Sequence, residues 1–401
     1  MDREAVIARR ASGMDVSGIR KIFEAAGRLR DPINLSVGQP DFPVPDELKR
    51  AAHEAIDSDR NGYTVTRGIP ELRSRIVEHL RTDIGWEIDS DLRTHEDADR
   101  PSVLVTSGTS GALLLLALAT LDEGDEYIIP DPYFVLYPAI GQLTGGRAVA
   151  CDTYPDFRLT AQRVEPLITE RTKFVLSVSP ANPTGVVTPR EEARELLELC
   201  RDRGVVLVSD EIYDEFAFEE ELDPSPVRGR VGACPSPARF AGAEDHVLVI
   251  RGFGKTYGCT GWRMGYVCGP GWLVREMTKM QQFSFVCAPS MAQWACADAF
   301  GVDMSGVVRE YAARRDMVLE RLGGLSSIPR PGGAFYAFVE VPGALGITGS
   351  EFAEQAMARN VLVIPGGAFS ERDTHFRLSF ATSRDKLEPG LEILASLMRG
   401  E

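Results

Sequence analysis

Residues 102–130 read SVLVTSGTSGALLLLALATLDEGDEYIIP, and this stretch indicates the class of fold. The short apolar run from Ser102 to Thr106 ends in Ser-Gly, which predicts a strand that enters a loop. The apolar run from Gly111 to Leu121 predicts a buried helix. Glu126 to Ile129 predicts the next strand, which ends at Pro130. A strand, a helix and a second strand in this order are the repeating unit of a parallel sheet.

The same alternation continues along the chain. Further apolar runs predict strands, and a proline-initiated segment predicts a helix; the strands are Lys173 to Val178, Val205 to Val208, His246 to Ile250 and Met264 to Cys268, and the helix is Pro189 to Arg203. We therefore predict an α/β fold with a mostly parallel sheet flanked by helices.

The pattern changes from about Met291 onward. Long helical stretches alternate there with a few short strands, which predicts a smaller α+β domain. We expect residues 1–43 to form an N-terminal arm and loop that joins the small domain. Residues 44–285 would form the large domain, and residues 286–401 the small one. The length of 401 residues supports two domains, since single cores stop growing near roughly 250–300 residues.

Composition and charge exclude several classes of protein. The net charge is −15, with no basic stripe of the kind that nucleic-acid binders carry, so we expect no nucleic-acid partner. The longest apolar run, Ala112 to Leu121, is about half of what a bilayer span requires. The N-terminal stretch MDREAVIARR lacks the apolar region of a signal peptide. We therefore expect no membrane partner.

The cysteines indicate a reducing compartment. There are seven, an odd number, and no CxxC pair occurs. This pattern argues against a disulfide framework and against a zinc site, so we expect no metal. A cytoplasmic location is the prediction that fits these thiols best.

A lysine between glycines is the first candidate for chemistry. Residues 252–258 read GFGKTYG, and Lys255 follows the predicted strand that ends at Ile250. Glycines let the backbone approach a ligand closely. A catalytic lysine must be neutral to attack an aldehyde, which a desolvated or cationic setting promotes. Arg251 and Arg263 are cations nearby in the sequence. A lone lysine in such a loop is most often only a surface residue, so its neighbours decide.

Three further segments lie where ligands bind in α/β folds. Residues 107–111, SGTSG, separate a strand from a helix start, where free N–H groups suit a phosphate. Asp210 follows a buried strand and is placed to pair with a ring nitrogen, although an N-cap aspartate looks the same. Asn182, within SPANPTG, either reaches a ligand oxygen or only forms a turn.

Taken together these motifs resemble a known family. Gly-Trp-Arg-Met-Gly at 261–265 and Phe-Arg-Leu-Ser-Phe at 376–380 complete the series. The chain is similar to the class I/II aminotransferases, which are fold-type I pyridoxal-phosphate enzymes. The resemblance runs from about Ile33 to the C-terminus. Several spaced motifs match in order, which is far more specific than any one of them.

The resemblance implies roles around the cofactor ring. Lys255 resembles the lysine that holds pyridoxal 5'-phosphate as a Schiff base and moves the substrate proton. Asp210 resembles the partner of the pyridine nitrogen. Asn182 and Tyr213 resemble the pair that hydrogen-bonds the phenolic oxygen. Phe134, in DPYF, occupies the place of the aromatic residue that stacks on the ring.

Other matches concern the cofactor phosphate. The residues that resemble the phosphate loop and its arginine are Gly108, Thr109, Ser110 and Arg263. Tyr63, in GYTVTRGIPELR, matches a tyrosine that reaches the phosphate of the partner subunit. The resemblance thus implies a homodimer with shared active sites.

Substrate binding is implied as well. Arg377 resembles the arginine that binds the substrate α-carboxylate, for which a bidentate guanidinium is suited. Asn182 lies in the same substrate-binding set, and Gly38, in SVGQPD, matches a loop that closes over the substrate. The expected substrates are an amino acid and a 2-oxo acid.

The chain departs from the family pattern in two places. Many relatives have a hydroxyl residue three positions before the lysine, where this chain has Gly252. An acid-specific subgroup carries a lysine in the phosphate loop, where this chain has Ser110, and residues 283–285 read Phe-Ser-Phe. The second departure argues against strict specificity for aspartate.

The resemblance implies an aminotransferase that follows a ping-pong mechanism, with 2-oxoglutarate as the expected amino acceptor. A β-lyase acting on C–S bonds and a decarboxylase on the same scaffold are alternatives, because fold does not determine chemistry. A non-enzymatic ligand sensor related to these enzymes is a third hypothesis. The acidic net charge argues against a DNA-binding sensor.

Overall fold

The strands and helices are described from a computed structural model. It describes residues 5–14, 27, 29–88, 100–224 and 232–401. The predicted arm of residues 1–43 therefore lies partly outside the described residues. Within them, the strands are β1 (Ile33–Asn34), β2 (Ser102–Ser107), β3 (Glu126–Asp131), β4 (Arg147–Asp152), β5 (Thr172–Val178), β6 (Val206–Asp210), β7 (Asp223–Pro224), β8 (Gly232–Ala233), β9 (Val247–Gly252), β10 (Met264–Gly269), β11 (Tyr336–Glu340), β12 (Val361–Leu362), β13 (Ile364–Pro365) and β14 (His375–Ser379).

The α-helices of the described residues connect these strands. They are α1 (Arg9–Ser12), α2 (Asp46–Asp57), α3 (Pro70–Ile84), α4 (Gly108–Thr120), α5 (Leu136–Thr144), α6 (Ala161–Val164), α7 (Arg190–Asp202), α8 (Phe253–Thr256), α9 (Gly271–Ser284), α10 (Ser290–Ala297), α11 (Ser305–Leu322), α12 (Gly349–Ala358) and α13 (Arg384–Met398).

A seven-stranded sheet forms the centre of the molecule. Its strand order is β2-β10-β9-β6-β5-β3-β4. The neighbours from β9 to β4 pair in parallel, whereas β10 is antiparallel to both β9 and β2. Helices cover the sheet, so the predicted fold class is confirmed. Because the parallel strands point the same way, their carboxyl ends meet at one edge of the sheet.

The opening sequence stretch folds as strand, helix and strand. Helix α4 is apolar around most of its circumference, and Leu113, Leu115 and Leu116 are buried in it. It packs against α9 on one side and against β10 on the other. A helix that is apolar all round belongs in an interior. The start of α4, which follows β2 directly, is thereby held at the carboxyl edge of the sheet.

A second, smaller group of strands lies near the C-terminus. Strands β11, β14 and β13 form an antiparallel sheet, against which α12 packs. The N-terminal strand β1 pairs in parallel with β12, so Ile33 lies opposite Val361. Ala288, Ala292 and Cys296 pack in the core that also contains strand residues of the seven-stranded sheet. The domain boundaries at residues 43 and 285 stay a prediction.

Within the described residues, no helix has both the length and the apolar character needed to cross a membrane.

The buried face of α4 generates a stability prediction. Leu116 is 0% exposed, whereas Leu118 on the same helix is 43% exposed. We expect Leu116→Ala to lower the free energy of unfolding by about 2–5 kcal/mol, because it leaves a cavity. Leu118→Ala should change it by less than about 0.5 kcal/mol. Denaturant unfolding of both variants measures the difference, and equal losses would contradict this packing of α4.

Candidate active site

The site lies where four separate segments of the chain meet. Asp210 ends β6, and Lys255 lies in α8 directly after β9, so both lie at the carboxyl edge of the large sheet. Arg377 comes from β14 of the smaller sheet. Gly38 and Ser36 come from the segment that follows β1. The fold thus brings together most of the residues that the sequence motifs singled out.

Lys255 carries an amine that burial makes easier to deprotonate. Its Nζ donates a hydrogen bond to the carbonyl oxygen of Gly38. The same nitrogen lies 5.8 Å from the ring centroid of Tyr213 and 5.8 Å from that of Phe335. Burial, with the cations Arg377 and Arg263, lowers the pKa of Lys255 to about 8. A neutral amine is therefore accessible near physiological pH, as nucleophilic and proton-transfer chemistry requires.

Arg251 is not one of the cations that act on this amine. Its guanidinium is bound to the carboxylates of Asp83, Glu211 and Asp214. Closeness in the sequence therefore does not make Arg251 one of the cations that lower the pKa of Lys255, which are Arg377 and Arg263. Opposite charges at close range offset its field.

Asp210 is a buried carboxylate that accepts hydrogen bonds but has no cationic partner among the residues that the structure describes. Its Oδ2 accepts a hydrogen bond from the hydroxyl of Tyr137 at 2.9 Å, and its Oδ1 accepts one from the backbone N–H of Ile212 at 3.2 Å. Burial raises the pKa of Asp210 to about 6, although the bonds from Tyr137 and Ile212 oppose the shift. A cationic N–H brought to this carboxylate would stabilise its charged form.

Tyr213 lies beside Asp210 in the turn after β6. Its hydroxyl lies 3.0 Å from the hydroxyl of Tyr336. Burial, together with Tyr336, raises the pKa of Tyr213 well above its usual value, so the hydroxyl stays protonated. Tyr213 therefore keeps a proton to donate to a ligand oxygen.

Arg377 is a fully buried cation with no carboxylate partner in the described part of the chain. Its Nη1 donates to Asn182 Oδ1 at 2.9 Å, and its Nη2 donates to the carbonyl oxygen of Ser36 at 2.9 Å. The guanidinium lies 4.5 Å from the ring centroid of Tyr336 and 4.7 Å from that of Phe369. Its Nε hydrogen has no acceptor among the residues that the structure describes. Burial lowers the pKa of Arg377. A carboxylate ligand would meet a preorganised guanidinium with donors to spare.

The start of α4 has features that suit an anion. Ser107, which precedes the helix, makes no side-chain hydrogen bond to the first turn of α4. The backbone N–H groups of that first turn can therefore bind a ligand. Gly108 has a φ of 69°, and a Cβ there would lie 2.7 Å from Nη2 of Arg263. Arg263 itself adopts a φ of 55°. Only glycine allows the arginine to lie this close to the helix start, and Thr109 and Ser110 follow in the same turn.

Gly252 has a steric explanation in the structure. A Cβ at this position would lie 2.8 Å from Cδ1 of Ile212 and 3.2 Å from the carbonyl oxygen of Met264. Ile212 and the methyl group of Thr109, 3.3 Å away, occupy the space that a side chain would need. A serine hydroxyl at position 252 would therefore require Ile212 to move.

Two of the predicted residues lie at the margins of this group. The ring of Phe134 packs edge-on against Tyr137, with centroids 5.7 Å apart, and so lies next to the partner of Asp210. Tyr63 is 89% exposed and contacts none of the residues around Lys255 through a hydrogen bond or ring contact given by the structure.

Sequence reasoning missed Tyr137 and Tyr336. Tyr137, in the first turn of α5, lies three residues after Phe134, and this closeness in sequence was the only local signal for it. Tyr336 follows Gly-Gly-Ala-Phe in a strand that reads as core. Their partners lie 73 and 123 residues away in the sequence, so no local pattern identifies the contacts.

Comparison with known proteins identifies the family. The profile described as "Aminotransferase class I and II" matches residues 30–394. A probable aspartate aminotransferase of Methanocaldococcus jannaschii is 34% identical over 98% of this chain and 100% of its own length. Aromatic-amino-acid aminotransferase 2 of Thermococcus litoralis is 30% identical over 98% of both chains.

Solved structures agree with this assignment. Aspartate aminotransferase from Thermus thermophilus with maleate has a TM-score of 0.85 at 34% identity, and the match covers 98% of this chain and 99% of that one. The chain belongs to the class I and II aminotransferase family, and it is an aminotransferase.

We predict that the Lys255 amine titrates near pH 8 in the protein without ligand. Below that pH the amine is protonated and unreactive, and above it the neutral amine reacts with acetic anhydride. Competitive labelling across the pH range, followed by mass spectrometry of the peptide that contains Lys255, measures the midpoint.

Arg377→Gln provides the control for this titration. It removes a cation that lowers the pKa of Lys255, so the midpoint should move upward while burial still holds it below 10.5. A wild-type midpoint at the ordinary lysine value, or no change in Arg377→Gln, would contradict the assignment.

Proposed function

We propose that this protein binds pyridoxal 5'-phosphate at Lys255 and transfers an amino group between an L-amino acid and a 2-oxo acid by a ping-pong mechanism, with 2-oxoglutarate as the amino acceptor. One observation carries the proposal. Asp210 and Arg377 are buried and Lys255 is half-buried, and none of these three charged groups forms an ion pair with another described residue. A cofactor and an amino acid together would supply a partner for each.

The side chains fit the proposed cofactor group by group. When bound, pyridoxal phosphate supplies an aldehyde that takes up amino groups and a ring that withdraws electrons from the substrate's α-carbon. The uncapped start of α4 and Arg263 suit its phosphate. Asp210 would accept a hydrogen bond from the ring nitrogen, and Tyr213 and Asn182 would bond its phenolic oxygen. Phe134 would stack on the ring.

Phosphate binding would use the backbone N–H groups of Gly108, Thr109 and Ser110 together with Arg263. Gly252 supplies no hydroxyl, so the helix start and the arginine would carry the binding. Both would favour the phosphate, because the positive end of the helix dipole and the guanidinium each attract an anion.

The amino acid would bind through its α-carboxylate. Two of the five N–H groups of Arg377 are engaged by Asn182 and Ser36, which leaves three for a carboxylate. The carbonyl oxygen of Gly38 accepts the hydrogen bond from Lys255, and that of Ser36, two residues earlier, accepts one from Arg377, so this loop would close the site over the substrate. Lys255, with a pKa of about 8, would take the proton from the substrate's α-carbon and return it.

A ping-pong order follows from one site that serves both half-reactions. The first 2-oxo acid must leave Arg377 before the second one binds the same guanidinium.

The cations near Lys255 would both be engaged when the site is filled. Arg377 and Arg263 are the cations that lower the pKa of Lys255, and one would be bound by the substrate and the other by the phosphate. The side-chain carboxylate of an acidic substrate would therefore need a group from elsewhere, such as a partner subunit.

We also propose a homodimer in the cytoplasm. Tyr63, which is 89% exposed, lines a groove at the start of α4 together with Ser107 and Phe285. Phe283 nearby in the chain is 85% exposed. Exposed aromatic residues beside a ligand site are typical of an interface. A second copy of this chain would cover them and would bring Tyr63 to the phosphate of its partner.

The proposed cytoplasmic location rests on the cysteines. The seven free thiols support a reducing compartment.

A panel of amino donors with 2-oxoglutarate tests the function. Aspartate, phenylalanine, tyrosine, leucine and alanine are offered, and glutamate formation is measured together with pyruvate and ammonia. We expect glutamate, with the aromatic or neutral donors at least as fast as aspartate. Pyruvate and ammonia without glutamate would contradict amino transfer and favour a lyase.

We predict opposite effects for two substitutions in the site. Lys255→Ala should abolish the visible absorbance of the enzyme-bound cofactor and lower turnover by at least about 10³-fold, because the attacking and proton-carrying amine is lost. Arg377→Ala should retain that absorbance but lower kcat/KM for amino donors by about 10²-fold, as expected for a lost bidentate carboxylate contact. Absorbance titration and steady-state kinetics separate the two. Loss of absorbance in Arg377→Ala would show that this arginine binds the cofactor instead.

A further inference from the structure

A buried ion cluster lies next to the proposed cofactor site and takes no part in the chemistry above. We define it as Asp83, Glu211, Asp214, Arg239 and Arg251. Their side chains are between 2% and 13% exposed. Charged groups at such depth are costly unless each is paired. Each carboxylate of the cluster is paired with at least one of the two arginines, and the contacts of Arg251 indicate what the cluster does.

Arg251 is the centre of the cluster. Its Nη2 lies 2.9 Å from Oε2 of Glu211, its Nε lies 3.1 Å from Oδ2 of Asp214, and its Nη1 lies 2.8 Å from Oδ2 of Asp83. One guanidinium thus joins three carboxylates from two parts of the chain. His79 Nε2 lies 3.5 Å from the same Nη1.

The carboxylates that Arg251 binds flank the residues proposed for cofactor binding. Glu211 follows Asp210 directly, and Asp214 follows Tyr213 directly. The turn between them is closed by a hydrogen bond from Asp214 N to the carbonyl oxygen of Glu211 at 3.1 Å. Arg251 also lies on the strand that leads into Lys255, four residues later.

Strand geometry explains how one cluster can support the site from behind. Asp210 lies opposite Ile250 in the pairing of β6 with β9. Side chains alternate across a sheet, so Asp210 and Glu211 point to opposite faces, as do Ile250 and Arg251. The proposed ring partner thus lies on one face, and the ion cluster holds the same backbone from the other.

Glu211 is fixed by more than Arg251. Its Oε1 accepts hydrogen bonds from Ser209 at 2.8 Å and from Ser236 at 2.6 Å. A carboxylate with both oxygens engaged has a defined position, and so does the backbone that carries it. The other end of the turn is held through Asp214, which Arg251 binds at 3.1 Å.

Arg239 offers a natural comparison within the same cluster. Its Nη2 lies 2.9 Å from Oδ1 of Asp83, and its other donors bind the carbonyl oxygens of Asp83 and Cys234. It contacts neither Glu211 nor Asp214 through any bond given by the structure. Arg239 and Arg251 are thus both buried arginines bound to Asp83, but only Arg251 reaches the turn beside Asp210 and Tyr213.

We propose that Arg251 is a positioning residue of the active site: by binding Glu211 and Asp214 it holds Asp210, Tyr213 and the Lys255 loop in the geometry that the cofactor ring requires. The inference rests on the proposed function, since the ring is that of pyridoxal phosphate. It differs from that function because Arg251 touches neither cofactor nor substrate.

The charges agree with this role. Burial, with a smaller contribution from the neighbouring Glu211 carboxylate, raises the pKa of Asp210 to about 6. Arg251 lies against Glu211 and offsets that carboxylate. Without Arg251 the uncompensated Glu211 would disfavour the charged form of Asp210, which is the form that binds a protonated ring nitrogen.

The experiment compares Arg251→Met with Arg239→Met. Both remove a buried guanidinium from Asp83, so both should lower the melting temperature. Pyridoxal phosphate affinity is measured by titration of the apo-protein, followed through tryptophan fluorescence, and kcat and KM are measured for the best amino donor.

Loss of groups that orient ligand-binding side chains costs about 10- to 100-fold at metal sites, so we expect about tenfold weaker cofactor binding in Arg251→Met. The same variant should show a lower kcat with an unchanged KM, because Arg377 is intact. Arg239→Met should stay within about twofold of wild type in affinity.

Arg251→Lys carries the test if Arg251→Met does not fold. It keeps the positive charge but cannot bridge three carboxylates, so its affinity should lie between those of wild type and Arg251→Met. Equal loss of cofactor affinity in Arg251→Met and Arg239→Met, or wild-type affinity and kcat in Arg251→Lys, would overturn the positioning role. A wild-type protein that binds no pyridoxal phosphate would instead overturn the proposed function itself.

Discussion

Three charged side chains without ionic partners among the described residues are the constraint on which the rest of the site depends. Asp210 and Arg377 are buried, Lys255 is half-buried, and none of them forms an ion pair within the described residues. Burial raises the pKa of Asp210 and lowers the pKa of Lys255 and Arg377, so it favours the neutral form of each group. This is the expected response to lost hydration. A chain that only had to fold would gain stability by replacing them. Their presence indicates that a ligand with complementary charges completes the site.

The fold provides this arrangement through strand direction and through the meeting of two sheets. Parallel strands deliver Asp210 and the Lys255 loop to one edge, where the start of α4 also lies. Arg377 reaches the same place from β14, and Asn182 and Ser36 hold its guanidinium. Behind the sheet, Arg251 pairs with the acids beside Asp210 and Tyr213. Groups that would bind ligand and groups that would orient them are thus stacked on opposite faces of the same strands.

Much of the fold was predictable from the sequence because its strands are short apolar runs that end in glycine, proline or polar residues. The strands near residues 102, 126, 172, 206 and 247 follow that pattern. Strand β4 does not, because it is an edge strand with largely exposed side chains. Lys255, Asp210 and Arg377 stood out through motifs, whereas Tyr137 and Tyr336 act through contacts over 73 and 123 residues. The partners of Arg251 were equally hidden, since only the folded sheet joins β9 to α3 and to the turn after β6.

The most direct test of the central claim is to identify the residue that carries the cofactor. The protein is incubated with pyridoxal phosphate, reduced with borohydride and digested, and the peptides are analysed by mass spectrometry. We expect one modified lysine, Lys255, carrying the mass of a single reduced pyridoxal phosphate group, with no such adduct when Lys255→Ala is treated in the same way. Modification confined to exposed lysines such as Lys49 or Lys279, with Lys255 unmodified, would contradict it.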